Sequence, residues 1–214
     1  MFNNVTIEKM MLEQPKTRRR SQRSINTEQA LLTHAKQIFS EVGFERATTK
    51  DIAQAAQVAE GTLFHHFPNK IALLEGLMTD YYGRLQAKAE LIYGSELQTA
   101  QKLRALIINH LKCAEAEWDL LRIVGQYGRY GDADFSQKFY VLNKTYTRLF
   151  TDLIDRMKAD FQIRATTPTP LIRDTLFGSM EHFFVGHFGR DRAYDLEAYS
   201  DQLLDLIFFG CGKQ

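Results

Sequence analysis

Residues 48–70 read TTKDIAQAAQVAEGTLFHHFPNK, which places threonine hydroxyls, two adjacent imidazoles, two ammoniums and carboxylates at short spacing. Groups of this kind exchange hydrogen bonds with phosphates and base edges, and they are also the raw material of acid–base or metal chemistry. The second use finds no support elsewhere in the chain. His182 and His187 are five residues apart, about 140° around a helix, whereas an i, i+4 metal pair shares one face. No G-x-S-x-G elbow, Walker loop or Cys-His zinc spacing occurs, and Cys113 and Cys211 neighbour no motif. The expectation is no enzyme, no catalytic residue, no metal and no cofactor; the hydrogen-bonding groups suit the phosphates and base edges of double-stranded DNA.

Charge distribution points the same way. The 214 residues carry a formal net charge of +1, yet Lys16 to Lys70 holds nine Lys or Arg against five acids. That local excess attracts phosphate without making the whole chain basic. A hydrophobic share of 44% with 25% charged residues is enough for a substantial core. Two distant cysteines and no apolar leader fit a reducing, cytoplasmic setting. No apolar run approaches the roughly 20 residues that span a bilayer, so no membrane partner is expected.

The elements that must position these groups are helices. Leu31, Ala35, Ile38, Phe39 and Val42 share one face, which predicts a first helix over about 27–42, with Asn26 and Gln29 at its cap and Gly43 as its stop. Leu103, Ile107, Leu111, Ala114 and Trp118 repeat the period, as do Phe139, Leu142, Tyr146, Leu149, Leu153 and Met157. Thr169-Pro170 opens a further helix reaching about Gly189, and Asp195 caps a last one that Gly210 ends. No sustained strand alternation is present, so the chain reads as all-α with about nine helices. Residues 1–24, with KTRRRSQR, are expected to form a flexible basic arm; 25–73 a small reader of short helices, from the basic excess noted above; and 74–214 a larger helical domain.

Within the reader, Thr48 and Asp51 have capping-box spacing, and Ile52, Ala53 and Ala56 form a short apolar face. Gly61, Leu63 and Phe67 begin another apolar side almost at once, so two short helices meet at a tight turn. Small residues at Ala53 and Gly61 are expected to let them cross closely. The segment TTKDIAQAAQVAEGTLFHHFPNKIALL resembles the DNA-binding domain of the TetR family of bacterial transcriptional regulators, and the likeness covers residues 27–74. It implies a recognition helix ending at Gly61 to Phe67 and a phosphate contact by Lys70 at the start of the fourth helix, about 69–93. It further implies a homodimeric regulator, more often a repressor, whose larger domain holds an inducer.

Site residues follow from that resemblance. Thr48, Thr49 and Lys50 meet the DNA backbone at the start of the second helix, and Gly61, Thr62, Phe64 and His65 face the groove. His66 either reads the groove or wedges beside Phe67. Glu60 either accepts from a cytosine amino group or stays a solvated helix-start carboxylate. Arg18, Arg19, Arg20 and Arg23 either enter a minor groove or only raise non-specific affinity. The chain departs from the family pattern at three positions. Gln57 stands where a glycine is usual and must adopt a left-handed conformation at about 1 kcal/mol, Phe64 replaces a phosphate-binding tyrosine, and Ala59-Glu60 replaces a hydroxyl residue followed by a basic or small one. These departures leave open an alternative, a helical ligand-binding dimer that has lost specific DNA binding.

Residues 118–150 contain eight aromatics, about twice the density of the chain. Trp118, Tyr127, Phe135, Phe139, Tyr146, Phe150 and Phe177 are candidates to line a cavity for an apolar or aromatic effector, and core filling is the alternative for each. GQYGRYGDADF at 125–135 breaks two helices as a candidate gate, with Arg129 available to an anionic ligand group or a surface ion pair. The segment from Phe177 resembles the last two helices of TetR-like regulators, and within them the fatty-acid-degradation type that responds to acyl-CoA, through Phe177-Gly178 and Tyr194-Asp195-Leu196. That likeness implies a dimer seam built from Gly178, Phe183, Phe184, Phe188, Leu203, Leu206 and Ile207.

Overall fold

The computed structural model describes residues 21–130, 133–160, 162–187 and 195–210. Among these the protein is all-α, with nine helices. The first, α1 (Gln22–Val42), starts earlier than its apolar period suggests, because the Ser21 hydroxyl accepts the Ser24 N–H and caps it. Arg23 therefore belongs to a helix, while Arg18, Arg19 and Arg20 lie outside the described residues. The helix stops at Gly43, whose φ of 83° suits a residue without Cβ.

Next come α2 (Thr49–Ala55) and α3 (Glu60–His66), joined through Gln57 at φ 55°. The left-handed turn read from the sequence is there, and it is closed by the Val58 N–H donating to the Ala53 carbonyl at 3.0 Å. Asn69 then caps α4 (Lys70–Tyr93) by accepting the Ala72 N–H at 2.8 Å. This helix buries Leu73, Leu74, Leu77 and Met78 at one end and Tyr81, Tyr82, Leu85 and Ala89 further along. No linker separates reader from regulatory domain, since a continuous buried cluster runs from Leu31 to Leu204. The boundary at 73/74 falls inside α4, which packs on α1 at its start and on α5 and α7 beyond.

The remaining helices are α5 (Thr99–Ala116), α6 (Trp118–Tyr130), α7 (Ala133–Ala159), α8 (Thr169–His187) and α9 (Leu196–Phe209). The last is capped as its sequence suggests: Asp195 accepts the N–H groups of Glu197 and Ala198, and Gly210 ends it at φ 67°. The closest backbone approach is at Gly76 rather than Gly61. A Cβ on Gly76 would lie 2.8 Å from Phe67 Cε1 and 2.9 Å from Leu32 Cδ2, whereas one on Gly61 would meet nothing within 4 Å. The expected close crossing at Gly61 is thus corrected: Ala53, 2% exposed, fills that role on the α2 side.

Candidate nucleic-acid interface and effector cavity

On the reader, Lys50, Gly61, Phe64 and His65 are exposed and Thr62 is half-buried. Several other expected DNA contacts are engaged within the protein. Thr48 Oγ1 accepts the Asp51 N–H at 3.1 Å and donates to Asp51 Oδ2 at 2.6 Å, which fastens the start of α2. Thr49 Oγ1 donates to Glu60 Oε1 at 2.9 Å and ties α2 to α3. Glu60 is therefore neither a base acceptor nor a purely solvated carboxylate in this state; its partner is a neighbouring hydroxyl.

Lys70 is more fully engaged. Its ammonium donates to the carbonyls of Phe44, Glu45 and Ala47 at 2.6, 3.0 and 3.2 Å and sits 4.6 Å from the Phe44 ring centroid. An ammonium has three hydrogens, and these three carbonyls satisfy them. Lys70 closes the α1–α2 connection onto α4 and has no donor left for a phosphate. His66 is also turned inward, with its side chain 9% exposed and Nδ1 3.8 Å from Glu28 Oε2, so the wedged alternative describes it rather than groove reading. Sequence spacing could not reveal either partner, because both pairings join segments that are distant in the chain.

The expected effector residues fall into three groups. Trp118 packs on Phe184 with ring centroids 5.8 Å apart. Tyr127 stands between Phe44 at 5.2 Å and Phe135 at 5.4 Å, and Phe139 meets Tyr82 edge-on at 5.7 Å. Tyr146 and Phe150, 1% and 0% exposed, pack with Phe177 in the closed interior. Of Arg129 only the backbone is described.

His110 joins that interior group, stacked on Tyr146 at 5.8 Å and edge-on to Phe177 at 5.4 Å. It follows Leu103 and Ile107 at i+7 and i+3, so the helical period was the signal that could have placed it inside. Burial pushes its pKa down to about 4, and burial likewise pushes the Tyr146 hydroxyl up. Tyr146 Oη, His110 Nδ1 and Asn109 Nδ2 are buried without a hydrogen-bond partner. Unpaired buried polar atoms are uncommon in native interiors, and three of them gather here.

An open cavity lies elsewhere, between the two domains. About 540 Å³ in volume, it is walled by His66 and Phe67 from the reader, Gly76, Met78 and Thr79 from α4, and Phe135, Phe139 and Leu142 from α7. Two of the expected effector residues, Phe135 and Phe139, thus border open space, whereas Tyr146 and Phe150 do not.

Of the expected dimer residues, Phe183, Phe184 and Leu203 are 6%, 3% and 5% exposed and belong to the protomer's own core. Little of these three side chains is left exposed for a seam. Leu206 is 44% exposed, Ile207 is half-buried, and a Cβ on Gly178 would meet nothing within 4 Å. Phe188 lies outside the described residues. Val185 and Phe209, at 60% and 62%, are exposed apolar residues on α8 and α9 that the sequence reading left out.

Among the described residues, no group of three or more His, Cys, Asp or Glu could hold a metal ion, and no helix is long and apolar enough to cross a membrane. A helix-turn-helix reader fused through one long helix to an aromatic-rich helical domain defines a DNA-binding regulator of the one-component type. Residues 31–77 match the bacterial regulatory proteins of the tetR family, and residues 80–210 match the C-terminal region of YsiA-like proteins. The chain belongs to the TetR family of bacterial regulators.

Among its relatives is the fatty acid metabolism regulator protein of Bacillus subtilis, 23% identical over 180 residues that cover 84% of this chain and 93% of that one. The transcriptional repressor KstR2 of Mycolicibacterium smegmatis is 25% identical over 161 residues, 73% of this chain and 78% of that protein. The structure of the fatty acid degradation regulator FadR from Bacillus halodurans superposes with a TM-score of 0.74 at 26% identity, covering 87% of this chain and 97% of that one. FadR from Bacillus subtilis in complex with stearoyl-CoA gives 0.76 at 22% identity, covering 86% and 99%, and shows the shared fold.

Proposed function

We propose that the protein is a homodimeric repressor, without enzymatic activity, that leaves a pseudo-palindromic operator when a fatty acyl thioester occupies its regulatory domain. The observation that carries this reading is a chain of ring contacts from one domain to the other. Phe135 on α7 touches Tyr127 on α6, Tyr127 touches Phe44, and Phe44 is the residue on which Lys70 and the α1–α2 connection rest. A displacement of α6 or α7 is passed to the reader without a flexible joint.

Two recognition helices about 34–36 Å apart match successive major grooves. A ligand that favours a different spacing lowers operator affinity only through its unequal affinity for the two states. The acyl assignment is supported by the names of the relatives and by the apolar walls of the regulatory domain. The Thr49–Glu60 bond holds the Glu60 carboxylate against α2 without removing its charge.

The test uses duplexes that the purified full chain selects from a randomised pool. Fluorescence anisotropy should show salt-dependent binding and its loss on titration with stearoyl-CoA. Selected duplexes that stay bound at saturating stearoyl-CoA would contradict the effector, and failure to select any sequence would contradict the regulator.

A further inference from the structure

The cleft between the domains leaves apolar surface uncovered among the described residues. Phe67, Met78, Phe135, Phe139 and Leu142 wall about 540 Å³, and Val141, which lines the same space, is 54% exposed. A single exposed aliphatic residue is ordinary, but several apolar walls meeting around one open space ask for an occupant. One charged pair stands among them: Lys138 Nζ lies 2.8 Å from both Glu75 carboxylate oxygens. The complementary occupant is a short apolar run bracketed by one base and one acid.

The chain carries such a run close by. Residues 9–13 read Lys-Met-Met-Leu-Glu, in the stretch outside the described residues that precedes Ser21, the cap of α1. Unbranched methionines fit irregular apolar space. The tether is long enough. Glu13 and Ser21 are eight residues apart and span up to about 28 Å when extended, a conformation that Pro15 favours at Gln14. The cleft touches α1 at two points: Glu28 faces His66, and Leu32 packs where Gly76 lacks a Cβ. These points lie about 9 and 15 Å along α1 from Gln22, well inside that reach.

We propose that Met10, Met11 and Leu12 dock in this cleft of their own chain, with Glu13 set against Lys138 and Lys9 against Glu75. The apolar side chains cover Val141 and Leu142, and the added charges turn one ion pair into a cluster of four with alternating sign. Residues 14–20 are then anchored at both ends, by the cleft and by the Ser21 cap. They include Lys16, Arg18, Arg19 and Arg20, so four cations are held beside the start of α1 rather than carried on a free arm. The docking does not depend on the regulator reading.

Disulfide trapping in the full chain, with Cys113→Ser and Cys211→Ser as background, tests the site. In a glutathione redox buffer, Met11→Cys combined with Val141→Cys should form a disulfide within one chain. Met11→Cys combined with Leu91→Cys, 77% exposed near the C-terminal end of α4, should not. Glu13→Lys and Lys138→Glu should each lower the yield at Val141 by about two- to fivefold, the range for exposed charge pairs, and together they should restore it. Should Lys138→Glu fail to fold, Leu12→Asp decides, since a buried carboxylate in the apolar triad should abolish the trap. Equal trapping at Val141 and Leu91 means a segment without a fixed place and overturns the proposal. So does absence of trapping at Val141, a yield that the charge exchange does not restore, or a trap that survives Leu12→Asp. A disulfide that joins two chains instead puts the segment in a partner's cleft and overturns docking within its own.

Discussion

In the reader, polar side chains are engaged within the protein: Thr48 with Asp51, Thr49 with Glu60, and Lys70 with three backbone carbonyls. In the interior of the regulatory domain, Tyr146, His110 and Asn109 each bury a polar atom without a partner. The first arrangement fixes short helices that are too small to be stable alone, so the reading surface is ordered before DNA arrives. The second gives up stability, since each unmet group costs about 1–3 kcal/mol when buried. One region is built to hold a shape and the other retains capacity to change it.

The pH dependence of stability should break or sharpen that contrast most strongly. His110 is held near pKa 4 by burial against an ordinary 6.5, so the unfolded chain takes up a proton that the folded chain refuses. Its contribution is fully present above pH 6.5 and is lost as pH falls toward 4, at most about 3 kcal/mol over that window. Urea denaturation at pH 7.5 and 5 should show the loss, and His110→Phe should shrink the difference between the two pH values.

Lys70→Ala comes next. Loss of the clasp should lower stability by about 2 kcal/mol through carbonyls left unpaired and weaken operator binding, while the slope of log affinity against log salt stays the same. A slope reduced by about one would return Lys70 to the phosphate role expected from the resemblance. A smaller effect is expected in the interior, where Tyr146→Phe removes an unpaired hydroxyl and should raise stability by about 1 kcal/mol, read as a higher thermal midpoint. The smallest is Gln57→Gly. It relieves the left-handed backbone but loosens the unfolded chain, leaving a gain of about 0.5 kcal/mol or less and unchanged operator specificity.

Local signals were legible in the sequence. Thr48, Asp195, Gly43 and Gly210 mark helix ends through groups that act within a few residues, whereas the left-handed turn at Gln57 was signalled only by the resemblance to a family that usually has glycine there. The helical period exposed the core faces and, with His110 included, would have exposed the interior cluster. Pairings across the fold were not legible. Nothing near Lys70 in sequence indicates that its ammonium meets carbonyls 23 to 26 residues earlier. The same holds for Gly76, whose need to be small comes from a ring at Phe67 and a leucine at 32. Aromatic density located the regulatory domain but could not divide Phe135 and Phe139, beside a cavity, from Tyr146 and Phe150, which are sealed.

The account's central claim is that a ligand in the regulatory half disturbs the end of the recognition helix. Hydrogen exchange of the Phe67 amide, bonded to the Leu63 carbonyl at 2.7 Å, reads that event directly. With dodecanoyl-CoA bound, exchange at Phe67 and through the start of α4 should accelerate while the α1 core around Leu31 and Phe39 stays protected. Unchanged protection at Phe67, with ligand binding shown independently in the same sample, would contradict the claim.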